Sequence, residues 1–355
     1  MTILESAAVA EAGDAPRTDD RWLAIYVFYT GNARPLLTDC VKPLFERLSA
    51  EGMLSGYFFL HYWLEGPHVR VRFKPTEGNR EAVMAAAEAA VGGFLKRRPS
   101  LYEVKSDFYV GLYNTLFELE FDADGRAQYL GEDGRMRLRK NNSFSWEAYE
   151  PEYDKYGGPV GVELAEWHFA QSSDLVLDAL VGMNVHMRTV QLGLSVQLMM
   201  VMSAVFLDDD QLAEFFEGYR DFWYNSFRTT DLVAGRSFDR GYESMAGLLT
   251  ERFTLVRSAV RAGRADQLPG ALDRWAEHCT ELRRRVTVLS SAGRLVFREW
   301  EGTERGPVTD PEEALLRLLW PCMHMTNNRL HITITDEAYL AHVLVRALQN
   351  AKAAS

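Results

Sequence analysis

Gly66-Pro67-His68-Val69-Arg70-Val71-Arg72-Phe73 is the stretch on which the reading of this chain turns. In an extended strand successive side chains point to opposite faces. Val69, Val71 and Phe73 therefore line one face, and His68, Arg70 and Arg72 line the other at intervals of about 7 Å. Three potentially cationic groups stacked this way repel one another unless something anionic meets them. Two readings of that face stand side by side. In one it is solvated, or paired with carboxylates from a neighbouring strand; in the other it binds a carboxylate or phosphate, which suits arginine's planar fork.

Outward from this segment, short alternating apolar runs at 22–30, 57–64, 102–109 and 116–121 predict further strands. Apolar positions three and four apart predict helices over 35–48 and 80–95. Turn residues at 122–125 and 132–134 point to a hairpin or short meander. From residue 160 the period changes to helical, with segments at 162–181, 185–207, 210–225, 242–262, 272–289, 311–329 and 336–351. Asp310 as N-cap, Pro311 at the first helical position and Glu313 three residues after the cap form a capping-box start. Residues 302–306 read as a loop. The fold class is α+β: a mixed or antiparallel sheet lobe followed by a mainly helical lobe. Residues 1–20 read as a flexible tail, 21–158 as the sheet lobe and 159–355 as the helical lobe, packed as one two-lobed enzyme.

Composition limits the function. With 355 residues, 47% of them hydrophobic, the chain has the material for about two domains. Its 39 Lys and Arg against 50 Asp and Glu leave a formal charge of -11, which argues against direct nucleic-acid or anionic-membrane binding. Cys40, Cys279 and Cys322 are far apart and lack metal-ligand spacing, as in a reduced cytoplasmic protein. The apolar run 190–207 contains Gln191, Ser195, Gln197 and Ser203, so it reads as a buried core helix and not a membrane span. Dinucleotide, P-loop, zincin and nucleophile-elbow motifs are all absent, so no cofactor and no metal are expected.

Two other segments carry chemistry-bearing residues. Tyr149-Glu150-Pro151-Glu152-Tyr153-Asp154-Lys155-Tyr156-Gly157-Gly158-Pro159 reads either as a plain connection into a helix or as a site in which Lys155 and tyrosines supply donors. Met323-His324-Met325-Thr326-Asn327-Asn328-Arg329 closes the helix that starts at Pro311, and places His324 and Asn328 on one face. His324 is either a satisfied core residue or the natural proton donor and acceptor of the helical lobe.

These segments, in this order, resemble the C-terminal elimination domain of lantibiotic dehydratases, also found alone in thiopeptide-type clusters. The resemblance rests on Tyr57 to Tyr62 leading into His68, Arg70, Arg72 and Phe73; on Tyr149, Glu152 and Lys155 to Gly158; on Glu166, Phe169, Ser173 and Asp174; and on His324, Met325, Asn328 and Arg329. It spans residues 22–342 and departs at Lys155, where the family usually carries arginine. The resemblance implies a carbon–oxygen lyase that removes an activating group, commonly glutamate, from Ser or Thr of a precursor peptide with leader and core, leaving dehydroamino acids. In that role His324 is the acid/base, Arg70 and Arg72 clamp the leaving group, and His68, Lys155, Tyr156, Asn328 and Arg329 bind substrate. It also implies a glutamylating enzyme or a kinase as pathway partner, and a homodimer. Two alternatives remain: a thiopeptide cycloaddition enzyme that forms pyridine and releases a leader peptide, and a non-catalytic leader-binding scaffold.

Overall fold

The computed structural model describes residues 18–103, 116–117, 121, 123–227, 242–243, 245–298 and 305–354. The expected tail up to residue 17, and most of the predicted strands at 102–109 and 116–121, lie outside them. The described residues divide into two compact units. The first runs to Tyr153 and adds Ala165–Met183; the second consists of Asp154–Leu164 and Asn184 onward.

The first unit is built on an antiparallel sheet in the order β2-β3-β1-β4, with β1 Leu23–Phe28, β2 Leu54–Tyr62, β3 His68–Pro75 and β4 Ser143–Glu147. β3 is central, and pairs Ile25 with Val71 on one side and Phe59 with Val71 on the other. The predicted alternation holds: Val69, Val71 and Phe73 are buried together with Leu23, Ile25, Val27 and Phe59. Val83, Ala87, Val91 and Phe94 of the helix Arg80–Arg97, and Leu44, Phe45 and Leu48 of the helix Lys42–Ala50, supply further core residues of this unit. The Phe45 ring meets Phe73 edge-on at 5.4 Å and stacks on Tyr57 at 4.2 Å.

The helix Gly158–Gly182 contributes its 165–182 portion to this unit. There the Phe59 amide donates to Ser173 Oγ at 3.2 Å and the Tyr57 hydroxyl donates to Asp174 at 2.7 Å. The Phe59 amide of β2 thereby finds a partner outside the sheet.

Three local expectations change. Leu116 and Phe117 are helical, and Ala123–Ala127 forms one helical turn where a β-turn was expected. The hairpin lies just beyond, where Leu130 bridges Met136 around a turn with Gly134 at φ 71°. β4 went unpredicted, because Ser143-Phe144-Ser145-Trp146-Glu147 is too short and polar to show a strong alternating signal.

In the second unit the helix Arg188–Phe206 is apolar on nearly every side and buried along Leu194–Phe206 apart from Gln197. It is long and apolar enough to cross a membrane by composition, yet 67% of its apolar window is buried inside the protein. The Trp275 indole donates to Leu198 O at 3.1 Å, and Arg261 donates to Ala204 O at 2.9 Å and Leu207 O at 2.6 Å. A cation on the last carbonyls of a helix is favourable for hydrogen bonding and for the helix dipole alike.

The helix Pro311–Arg329 begins where predicted, with the Asp310 carboxylate accepting from the Glu312 amide at 3.0 Å. Glu313 does not complete the capping box; its carboxylate takes Arg317 at 2.6 Å. The helix predicted from residue 242 starts at Ala246. Around the predicted loop 302–306, Arg305–Pro307 pairs with Val296–Arg298 as a two-stranded ribbon, β6 with β5.

Candidate functional site

In the first unit, strand register assembles one polar face. Tyr26 of β1 and Leu60 of β2 stand directly opposite Arg70, and Ala24 and Phe58 stand opposite Arg72. His68 is 4% exposed and packs between Phe28, at 4.6 Å, and Tyr26, at 5.1 Å. Burial, with the adjacent Arg70 charge, pushes its pKa down to about 3. A neutral imidazole fits both of its contacts: Nδ1–H donates to Gly66 O at 2.9 Å, and Nε2 accepts from Arg70 Nε at 3.1 Å. The expected stack of three cations is therefore a stack of two, since desolvation removes the proton from the first. His68 acts as an acceptor that aims Arg70.

Arg70 is half-buried, its guanidinium lying 3.5 Å from the centre of the Tyr62 ring and 4.4 Å from that of Tyr26. Arg72 is 4% exposed. Its guanidinium lies over Tyr26 at 4.9 Å and Tyr149 at 5.3 Å, and its Nη2 donates to the Tyr26 hydroxyl at 3.2 Å. The Nε and Nη1 of Arg72 are buried and have no hydrogen-bond partner among the described residues. Among the described residues no carboxylate forms an ion pair with Arg70 or Arg72. Burial presses the Arg72 pKa below the ordinary guanidinium range. The reading in which acidic neighbours neutralise this face is thus excluded within the described residues. Aromatic faces offset part of the desolvation cost of a buried cation, but not its unmade hydrogen bonds.

Among the described residues of this unit the buried acid is Glu166, 4% exposed, with Lys74 Nζ at 3.9 Å. Burial raises its pKa, opposed by Lys74, while the Tyr149 hydroxyl is held protonated by burial and by the Glu166 charge. Tyr149 thus has Arg72 on its ring and the charge of Glu166 at its hydroxyl.

The second unit holds His324, Asn328, Arg329, Lys155 and Tyr156. His324 Nδ1 lies 2.8 Å from Glu337 Oε2. Glu337 is 1% exposed, and its Oε1 also accepts from Asn327 Nδ2 at 3.0 Å and from the Tyr219 hydroxyl. Asn327 Oδ1 in turn accepts from Ser195 Oγ at 2.7 Å. Trp223 covers the imidazole at 5.6 Å, tilted by 39°. Glu337 sits in the first turn of the helix Ile334–Ala354, where the dipole favours an anion.

The other predicted residues lie elsewhere in the second unit. Arg329 is buried and donates to Met325 O at 2.7 Å, which ties it to its own helix. Tyr156 is buried, with Lys155 lying 5.7 Å from its ring centre. Gly157 and Gly158 have φ 86° and 82°, and a Cβ on Gly157 would lie 2.8 Å from the Phe297 ring. Gly157 O accepts from the Val296 amide at 3.0 Å. The paired glycines therefore seat β5 at the start of the helix Gly158–Gly182. Among the described residues no three His, Cys, Asp or Glu side chains gather in a metal-binding cluster.

Sequence reading missed Tyr26 and Glu337, although both leave a trace. Tyr26 breaks the apolar run of β1 on the face that meets Arg70. Glu337 lies on the same helical stripe as Leu340, Ala341, Leu344 and Leu348, an acid where the period calls for an apolar residue.

Residues 22–348 match the sequence family described as lantibiotic biosynthesis dehydratase C-term. The chain belongs to this family. Members of the dehydratase C-terminal family act on precursor peptides in the making of ribosomally synthesised peptide natural products. Among solved structures, the pyridine synthase TbtD from thiomuracin biosynthesis is similar at a TM-score of 0.71 and 23% identity, covering 95% of this chain and 100% of that one. TsrL is similar at 0.64 and 15%, covering 94% and 95%. The tRNA-dependent lantibiotic dehydratase MibB from Microbispora sp. 107891 aligns at 0.43 and 19%, covering 98% of this chain and 29% of that one. These likenesses are of fold. No curated protein matches the chain.

Proposed function

We propose that this dehydratase C-terminal chain is a carbon–oxygen lyase that expels glutamate, held in ester linkage, from Ser or Thr of a precursor peptide to leave dehydroalanine or dehydrobutyrine. The observation that carries the reading is Arg72: a buried guanidinium with two nitrogens lacking partners among the described residues, next to an Arg70 braced by His68 and two tyrosines. Such a face is prepared for an anion that the protein itself does not provide, and the glutamyl leaving group carries carboxylates. Donors fixed before the reaction stabilise developing charge without reorganising, and removing one typically costs on the order of 10²-fold in rate, roughly 3 kcal/mol.

His324 serves as the acid/base. It takes the Cα proton, the electron pair forms the new Cα–Cβ double bond, and the Cβ–O bond breaks with its pair leaving on glutamate. Loss of such a group typically costs 10²- to 10⁴-fold. Lys155 keeps a positive charge where arginine is usual, without bidentate recognition, which accommodates phosphate as well as glutamate. A glutamylating enzyme or kinase of the same pathway supplies the activated peptide, and the protein works in the cytoplasm without direct contact with nucleic acid or membrane.

A second reading, pyridine formation by cycloaddition with release of a leader peptide, is favoured by the full-length similarity to TbtD. The test separates them. The protein is incubated with a peptide bearing glutamylated serine, with a phosphorylated one, and with one already dehydrated. Loss of the activating group with conversion to dehydroalanine supports the lyase; a new heteroaromatic chromophore with peptide cleavage from the third substrate supports cycloaddition and overturns the lyase. Unchanged modification in a reconstituted pathway after Arg72→Leu and His324→Ala establishes a scaffold and removes both enzymatic readings.

A further inference from the structure

We infer that Glu337 is the positioning residue of the imidazole at His324, holding the ring in the tautomer that leaves Nε2 as the proton acceptor. This rests on the acid/base role proposed for His324 and goes beyond it, because Glu337 was on no expected site and touches no substrate in this scheme.

The geometry is that of an oriented imidazole. Nδ1 meets Glu337 Oε2 at 2.8 Å, and a carboxylate only accepts, so Nδ1 carries a proton and, in the neutral ring, Nε2 is left with the lone pair. Glu337 in turn is immobilised. At 1% exposure it accepts from Asn327 at 3.0 Å and from Tyr219, and Asn327 is itself fixed by Ser195 at 2.7 Å. Every side chain in this chain of contacts is buried except His324, whose side chain keeps 30% of its surface exposed. An imidazole with one nitrogen pinned in the interior and the ring partly open to solvent has the form of a proton shuttle. A core histidine buried for packing shows neither feature.

The anionic partner has a second effect. When Nε2 takes the Cα proton the ring becomes cationic, and a buried carboxylate at Nδ1 stabilises that cation. The proton then passes from Nε2 to the departing carboxylate or to solvent, which returns the ring to its starting tautomer. Among the described residues, Glu337 hydrogen-bonds the imidazole and Tyr219 hydrogen-bonds Glu337; burial and the Glu337 charge hold the Tyr219 hydroxyl in its neutral, donating form.

Two measurements test this. In protein with ¹⁵N-labelled histidine, the His324 resonances, assigned by loss in His324→Ala, are expected to report the Nδ1–H tautomer in the parent and a mixture of tautomers in Glu337→Gln. A parent signal from the Nε2–H tautomer overturns the inference, and so does an unchanged tautomer in E337Q. This readout needs no substrate, so it stands even if the lyase reading fails.

The second measurement is turnover of a peptide carrying glutamylated serine. E337Q is expected to lower kcat by about 10²-fold with KM changed by less than about threefold, and Glu337→Asp to recover part of the loss. In a His324→Ala background, E337Q is expected to add no further loss, because its effect passes through the imidazole. A full additional loss in the double variant assigns Glu337 a structural role and overturns the inference. Should H324A itself turn over normally, the acid/base assignment fails while the tautomer result still decides the positioning role.

Discussion

The arginine face of the sheet and the histidine face of the helix Pro311–Arg329 are both buried polar clusters, yet they are built in opposite ways. Around Arg72 a cation is buried among tyrosines with two nitrogens left without partners. Around Glu337 an anion is buried with donors from His324, Asn327 and Tyr219. Among the described residues the first cluster leaves donors of a buried cation unmade, whereas in the second the buried carboxylate is hydrogen-bonded and holds the half-buried His324 in place. A protein keeps an unsatisfied buried cation only where something other than stability is served, whereas a satisfied network is justified by stability and orientation together.

That contrast is easiest to break at Arg72. Arg72→Leu is expected to reduce elimination by on the order of 10²-fold, roughly 3 kcal/mol, while leaving stability unchanged or raising it by up to about 1 kcal/mol. Paired thermal melts and turnover of a glutamylated peptide check it; a large drop in melting temperature would show that the cation is already compensated. Glu337→Leu is expected to behave in the reverse sense. It strands the Asn327 amide and the Tyr219 hydroxyl in the interior and lowers stability by about 2–3 kcal/mol, measured by denaturant titration. A melting temperature equal to the parent's would dissolve the distinction between the clusters.

A smaller effect concerns His68. Its folded pKa, near 3, lies below the usual 6.5, so the unfolded chain binds the proton more readily. Its contribution to stability is therefore complete above pH 6.5 and declines as pH falls through that value towards 3, by up to about 1.4 kcal/mol per pH unit. His278, also buried and pushed down to about 4, adds a similar slope. His68→Gln is expected to make stability between pH 6 and 4 fall less steeply than in the parent; identical slopes would place a proton on the native imidazole and restore the stack of three cations. The least effect is expected of Lys155→Arg, which restores bidentate recognition without changing charge. Its KM for a glutamylated peptide is expected to move by no more than about threefold, and a tenfold change would make Lys155 a principal determinant of the leaving group.

Much of this was readable beforehand because it depends on local period. The alternation in Val69, Arg70, Val71, Arg72 and Phe73 and the cap at Asp310 are properties of a few consecutive residues, and both appear where the pattern put them. β4 and the helical turn Ala123–Ala127 were missed because short elements owe their form to what they pack against more than to their own residues. The candidate site was legible only as residue types. Nothing near Arg72 in sequence announced Tyr26 or Tyr149, and nothing near His324 announced Tyr219, 118 positions from Glu337.

By itself, then, the sequence determined the α+β class, the two faces of β3 and the family to which the chain belongs, since all three are written in spacing and residue type. Only the tertiary structure decided that burial pushes the His68 pKa down, that Arg72 has no ion-paired acid among the described residues and that His324 rests on Glu337. Charge state and hydrogen-bond partnership are set by desolvation and by contacts between distant segments, and a linear pattern carries no measure of either.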